Sequence, residues 1–253
     1  MKKILIISMI CIIFTACKKQ ELQQYSEKSR IYLNLSKSQF YAPFPTSTAR
    51  DLRIDYAPQN SSKKTDTLRF NIQSSGAASK IDRSFIFERS TVAGNAKEGL
   101  DFDILDKNFV IPAGMFNTII RVVVRRTPGM AVKPLSFSYN LKANDNFELG
   151  PDRDSTQFFS NTGVIRLVAL NVTAKDIVVK PENWDSFIAK YFGVYSEVKF
   201  RFIIDVLAKT SFPTTTSAGV MNRNKTTLNT ALVKYNTTHP EKLKDENGNE
   251  ISF

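Results

Sequence analysis

Residues 135–141 read LSFSYNL. Leu135, Phe137, Tyr139 and Leu141 fall on one side of an extended chain, and Ser136, Ser138 and Asn140 fall on the other. A period of two with one polar face is the pattern of a half-buried strand. The register predicts Phe137 and Tyr139 inward with Ser136 and Ser138 outward, and a slip of one residue would reverse both. LRIDY (52–56), LRFNI (68–72), SFIFE (84–88) and IIRVVVR (119–125) behave similarly, with IYLNL (31–35) and VIRLVAL (164–170) as further strands. Turn chemistry separates them at Ser74-Ser75-Gly76, Pro112-Ala113-Gly114 and Pro128-Gly129. Many short strands without intervening helical periods predict an antiparallel β-sandwich over residues 31–175, not βαβ units.

The period changes after Pro181. Trp184, Phe187, Ile188 and Tyr191 recur at helical spacing, as do Val198, Phe202, Ile203, Val206 and Leu207. Pro181 suits a first helical position, and Gly193 marks a break between the two runs. A weaker helical stretch carries Leu228, Leu232 and Tyr235, and DENGNEISF predicts a turn at Asn247-Gly248 before a short terminal strand. Residues 176–253 are therefore expected as a helical region packed on the sandwich. The aromatics around Trp184, the single tryptophan, read as its core.

The N-terminus reads as a secretory signal. Met1-Lys2-Lys3 precedes ILIISMICIIF, and Thr15-Ala16 precedes Cys17. A basic start, a short apolar run and small residues before a cut site fit a signal peptide over residues 1–16. The run is shorter than the roughly 20 residues that cross a bilayer. With cysteine at the cut, the pattern is that of a bacterial lipobox, in which Cys17 is acylated. Phe14 stands where leucine is usual. Residues 17–30, containing KKQELQQYSEKSR, lack an apolar period and read as a polar tether. Several acyl chains hold a protein on a membrane far better than one.

The chain has two cysteines, Cys11 and Cys17. Cys11 lies within the signal, so the mature chain is expected to have neither a disulfide nor a cysteine metal site. The formal charge of +11 is spread along the chain instead of gathered in a stripe. With export, that excludes nucleic acid as the expected partner. One histidine, His239, lies in the polar stretch TTHPEK, where surface is the commoner reading. Histidine triads and histidine zinc sites have no residues to build them. No G-x-S-x-G, P-loop or H-E-x-x-H motif is present.

Carboxylates remain. EGLDFDILD offers Glu98, Asp101, Asp103 and Asp106, and ANDNFELGPDRD offers Asp145, Glu148, Asp152 and Asp154. Asp101, Asp103, Asp145 and Glu148 are calcium candidates if both loops meet at one end of the sandwich, since hard cations need several converging oxygens. Pairs drawn from Glu98, Asp101, Asp103, Asp145 and Glu148 could serve a glycoside hydrolase. Solvated loop acids are the commoner explanation of both, so the expectation is a protein with no cofactor and no catalytic site.

DRSFIFERSTVAGNAKEGLDFDIL, followed by FVIPAGMFNTIIRVVVRRTP, and later ENWDSFIAKYFGVYSEVKFRFI with the ending LKDENGNEISF, resemble a Bacteroidota lipoprotein family defined by a domain of unknown function (DUF4843-like). The resemblance extends from about Ile31 to Phe253. The middle segment is also similar to Calx-beta sandwiches in its G-x-D-F and P-A-G, although TPGMAVKPL follows Arg126 where those domains carry their acidic calcium segment. The family resemblance implies association with Sus-type nutrient-import loci, whose barrel and lid proteins are of the SusC/SusD type. It implies an outer-membrane, lipid-anchored, non-catalytic accessory protein that helps capture a glycan or peptide. A structural envelope adaptor or adhesin with no small ligand is the alternative. Lys18-Lys19-Gln20-Glu21 is mainly basic, which leaves the cell surface and the periplasmic face both open.

Overall fold

The computed structural model describes residues 27–36, 51–90, 94–150 and 164–253. Cys17, the signal segment, most of the tether, Asp152 and Asp154 lie outside them.

The described chain is mainly β, with a helical C-terminal region. One sheet runs in the order β10 (Glu148–Leu149), β1 (Arg30–Ser36), β3 (Thr65–Ser74), β8 (Asn117–Arg125), β6 (Phe102–Ile104), and β11 (Val164–Leu167) also pairs with β1. A second runs β2 (Asp51–Asp55), β12 (Ala169–Lys175), β9 (Leu135–Lys142), β5 (Ile86–Arg89). The short strands β4 (Arg83–Ser84) and β7 (Val110–Ile111) form a separate pair. The longest ladder, β3 on β8, pairs Thr65 with Arg125 at one end and Gln73 with Asn117 at the other.

The alternation of LSFSYNL is realised as read. Phe137 and Tyr139 are buried, while Ser136 and Ser138 are only partly covered. IIRVVVR likewise sends Ile120, Val122 and Val124 inward and leaves Ile119 and Arg121 exposed. The two inner faces share one core. Phe102 of β6 stacks on Phe137 of β9 with ring centroids 3.9 Å apart, and the Tyr56 hydroxyl, just past β2, donates to the Val124 carbonyl at 3.0 Å. Burying one such ring is worth about 1.5–3 kcal/mol.

Some pairings depart from the antiparallel expectation. β12 runs parallel to β2, and β1 parallel to β10. A parallel pair needs a long crossover, and nearly all the intervening β chain supplies it for β2 and β12. SFIFE is not one strand either. The Phe85 N–H donates to Phe109, and around it the chain passes from β4, paired with β7, to β5, paired with β9. The Pro128-Gly129 turn opens a short helix, α1 (Gly129–Val132), that buries Met130.

After β12 a second apolar cluster forms around Trp184, which is fully buried as expected of a core residue. A π-helical turn, Trp184–Ile188, runs into α2 (Ala189–Phe192). Helix entry therefore falls after Asn183 and not at Pro181, whose carbonyl accepts the Trp184 N–H. Gly193 breaks the run with a positive φ of 77°. Ser196 then caps α3 (Glu197–Leu207) by accepting from the Lys199 N–H, and Ser217 caps α4 (Ala218–Thr238) in the same way. The terminal segment makes a single bridge, Lys244 with Glu250, around Gly248, and not a strand.

Candidate functional site

Three segments from the β region and one helix converge at one end of the β3–β8 ladder. They are the β2–β3 loop, the residues following β8, Asp176 directly after β12, and α3. Between them lies a cleft of about 230 Å³ lined by Ser61, Lys64, Arg126, Thr127, Asp176 and Arg201 beside Pro128.

Asp176 is its hub. Arg126 grips it in bidentate fashion, Nε to Oδ2 at 2.7 Å and Nη2 to Oδ1 at 2.9 Å. Arg201 approaches from α3 and donates through Nη2 to Oδ1 at 2.6 Å. The side chains of Arg126, Asp176 and Arg201 retain only 7 %, 13 % and 18 % exposure. Bidentate charge-assisted bonds are short and directional, so they fix the carboxylate. Both guanidiniums also bind backbone, Arg126 Nη1 at the Asn60 carbonyl and Arg201 Nη1 at the Ala57 carbonyl, each at 2.9 Å. Nearby, Asp205 of α3 accepts the Ser61 N–H at 2.7 Å. Arg126 also lies over Tyr56, 5.6 Å from its ring centroid. Burial, together with the Asp66 charge, pushes the Tyr56 phenol far above its ordinary value.

The arrangement has two chemical consequences. It clasps α3 onto the end of the β region. It also leaves the cleft cationic, because Lys64, Arg126 and Arg201 face one lining carboxylate, Asp176. Lys64 is exposed. Two hydroxyl residues, Ser61 and Thr127, complete a polar lining. Such a site suits the acidic group of a ligand.

Of the described acidic candidates from the sequence, Asp101 lies behind the cleft at Thr127 and the others lie elsewhere. Asp101 is buried beneath its own loop, accepting from the Lys97 N–H and the Thr127 hydroxyl, each at 2.8 Å. Asp103 is paired with Arg125, whose hydrogen bond holds its carboxyl below the usual range. Asp106 is likewise paired with Arg121 and shifted down. Asp145 is exposed, and Glu148 is exposed on β10 opposite Arg30. β6 and β10 form opposite edges of the first sheet, so Asp103 and Glu148 are not brought together. Among the described residues, no three His, Cys, Asp or Glu side chains group closely enough to hold a metal ion. His239 is exposed at the end of α4, with its ring stacked on Tyr235 at 3.8 Å.

This is a mainly β protein with a helical C-terminal region and a basic cleft where the two meet. The chain belongs to the family defined by a domain of unknown function (DUF4843), whose model matches residues 25–209. The match ends just beyond α3, short of the Phe253 limit that the resemblance implied, and it includes every residue of the cleft. No curated protein matches the chain. Among solved structures, a protein of unknown function from Bacteroides ovatus is similar at 11% identity with a TM-score of 0.33, covering 55% of this chain and 45% of that one. The chain thus spans under half the length of that structure, and at this score the likeness carries no argument.

Proposed function

We propose that the protein is a non-catalytic, lipid-anchored outer-membrane accessory of a Sus-type nutrient-import complex, of the kind found in Bacteroidota. In this reading Cys17 carries the acyl chains, and the basic cleft receives an acidic group of a captured glycan or peptide. The β region is read as an Ig-like or Calx-beta-like sandwich. The observation that carries the proposal is the lipobox IIFTACKK at residues 12–19, set ahead of a polar tether. Membership of the family supports it. So does the chemistry of the cleft, where the lining carboxylate spends both oxygens on arginines.

The anchor is tested by Cys17→Ala. The variant is expected to lose acyl labelling and to leave the membrane fraction, and unchanged labelling and retention would sink the reading. Ligand capture is tested by titrating the protein with galacturonate, neutral galactose and an N-acetylated amino acid. Binding of the acids but not the neutral sugar, lost in Lys64→Ala, is the expected result. Equal indifference to all three would favour the adaptor or adhesin alternative.

A further inference from the structure

The chain enters the fold at the end of the ladder opposite the cleft. Arg30, the first residue of β1, is bonded to Ser75 twice, its carbonyl accepting the Ser75 N–H at 2.8 Å and its N–H meeting Ser75 Oγ at 3.3 Å. Ser74 beside it donates from its N–H to the Phe116 carbonyl at 2.7 Å. Arg83 reaches back to Ser29 at 2.8 Å and to Ser74 at 3.2 Å. The tether exit, the loop after β3 and the turn before β8 are therefore one connected end of the molecule.

That end is apolar at its tip. Ile81 is 70% exposed, Met115 49% and Phe116 45%. The two loops carrying them are fastened together, with the Gly114 N–H donating to the Ser79 carbonyl and the Ala113 N–H to Asp82, each at 2.8 Å. Gly114 makes its turn with a positive φ of 74°, which places Met115 and Phe116 outward with little backbone cost. The two braced loops thus present three large exposed apolar side chains at the same end of the molecule.

We propose that this tip rests on the phospholipid surface, with Ile81, Met115 and Phe116 inserted at the level of the acyl boundary. The inference rests on the acyl anchor at Cys17 proposed above. Only nine residues separate Cys17 from Glu27, the first described residue. That is at most about 35 Å of fully extended chain and much less on average, so the end holding the tether exit is kept near the bilayer. Lys28, Arg30, Lys80 and Arg83 are balanced there by Glu27, Asp82, Asp145 and Glu148, so the contact is apolar and not electrostatic. β3 is ten residues long, which sets the cleft about 30 Å further from the lipid, facing the solvent side.

The test uses the acylated full chain in phosphatidylcholine–phosphatidylethanolamine vesicles, with plain or brominated acyl chains. Ile81→Trp reports on the tip and Val233→Trp on exposed α4, over the constant background of buried Trp184. Bromine is expected to cause a roughly two-fold loss of Ile81→Trp emission, since an interfacial apolar face sits about 5–10 Å deep. Val233→Trp should be unchanged, and the loss should survive about 0.5 M salt because no charge attraction sustains it. Adding Met115→Glu and Phe116→Glu should abolish the quenching while the protein still floats with vesicles. Flotation without quenching of Ile81→Trp, or quenching indifferent to the glutamates, overturns the tip contact and leaves the anchor standing. Failure to float overturns the anchor and the tip together.

Discussion

Replacing Asp176 by alanine would remove the carboxylate that two guanidiniums share. Arg126 and Arg201 would then face each other with their principal counter-ion gone, at 7% and 18% side-chain exposure. At that depth water replaces the lost contacts only in part, and removing one partner of a buried ion pair costs about 3–5 kcal/mol. The open side of the cleft lets some solvent in, which points to the lower end, about 3 kcal/mol. The control is Asp185→Ala, whose pair with Lys180 is solvent-exposed at 77% and 42% and should change stability by less than about 1 kcal/mol. Urea unfolding followed in parallel by far-UV circular dichroism and Trp184 fluorescence measures both. Trp184 belongs to the helical cluster, so loosening the clasp should move its transition ahead of the β transition. Equal and small losses in the two variants would refute the clasp.

Other substitutions probe separate parts of the fold. Lys199 is buried and donates from Nζ to the Phe192 and Val194 carbonyls at 3.0 and 2.8 Å, so Lys199→Met should cost about 1–3 kcal/mol at neutral pH. Burial holds the Lys199 ammonium below its ordinary value, so the unfolded chain binds more protons just below about pH 10.4. Its contribution makes stability rise with pH from the folded value up to that point, and urea titrations at about pH 8 and 10 should show the rise shrink in Lys199→Met. A Cβ at Gly94 would overlap the Ser136 carbonyl oxygen, so Gly94→Ala should cost about 1–3 kcal/mol and lower the melting temperature. Phe137→Ala empties the stacking partner of Phe102 and should cost about 3–5 kcal/mol, read from the same urea curves.

What the sequence made legible was whatever repeats locally. LSFSYNL and IIRVVVR carry their own register, because a buried face and a period of two leave one choice. The Trp184 cluster announced itself by helical spacing, and Gly193 by being the residue that adopts positive φ without strain. The cleft left no such trace. Arg126, Asp176 and Arg201 are separated by 50 and 25 positions, and each looks alone like a solvated charge. They meet because β8 and β12 end on the same side and α3 folds back across them. Asp103 and Glu148 misled in the opposite way, looking like shared ligands while the topology sent β6 and β10 to different sheet edges. The apolar tip was read as turn chemistry at Pro112-Ala113-Gly114, and only the bracing of two loops reveals it as a surface.

The most direct measurement is an affinity isolation of the full-length protein from detergent-solubilised native membranes, with mass spectrometry of what accompanies it. An accessory role in import predicts recovery of a TonB-dependent barrel with its surface lid. Recovery of the protein without either would contradict that role and leave an envelope adaptor or adhesin as the reading to pursue.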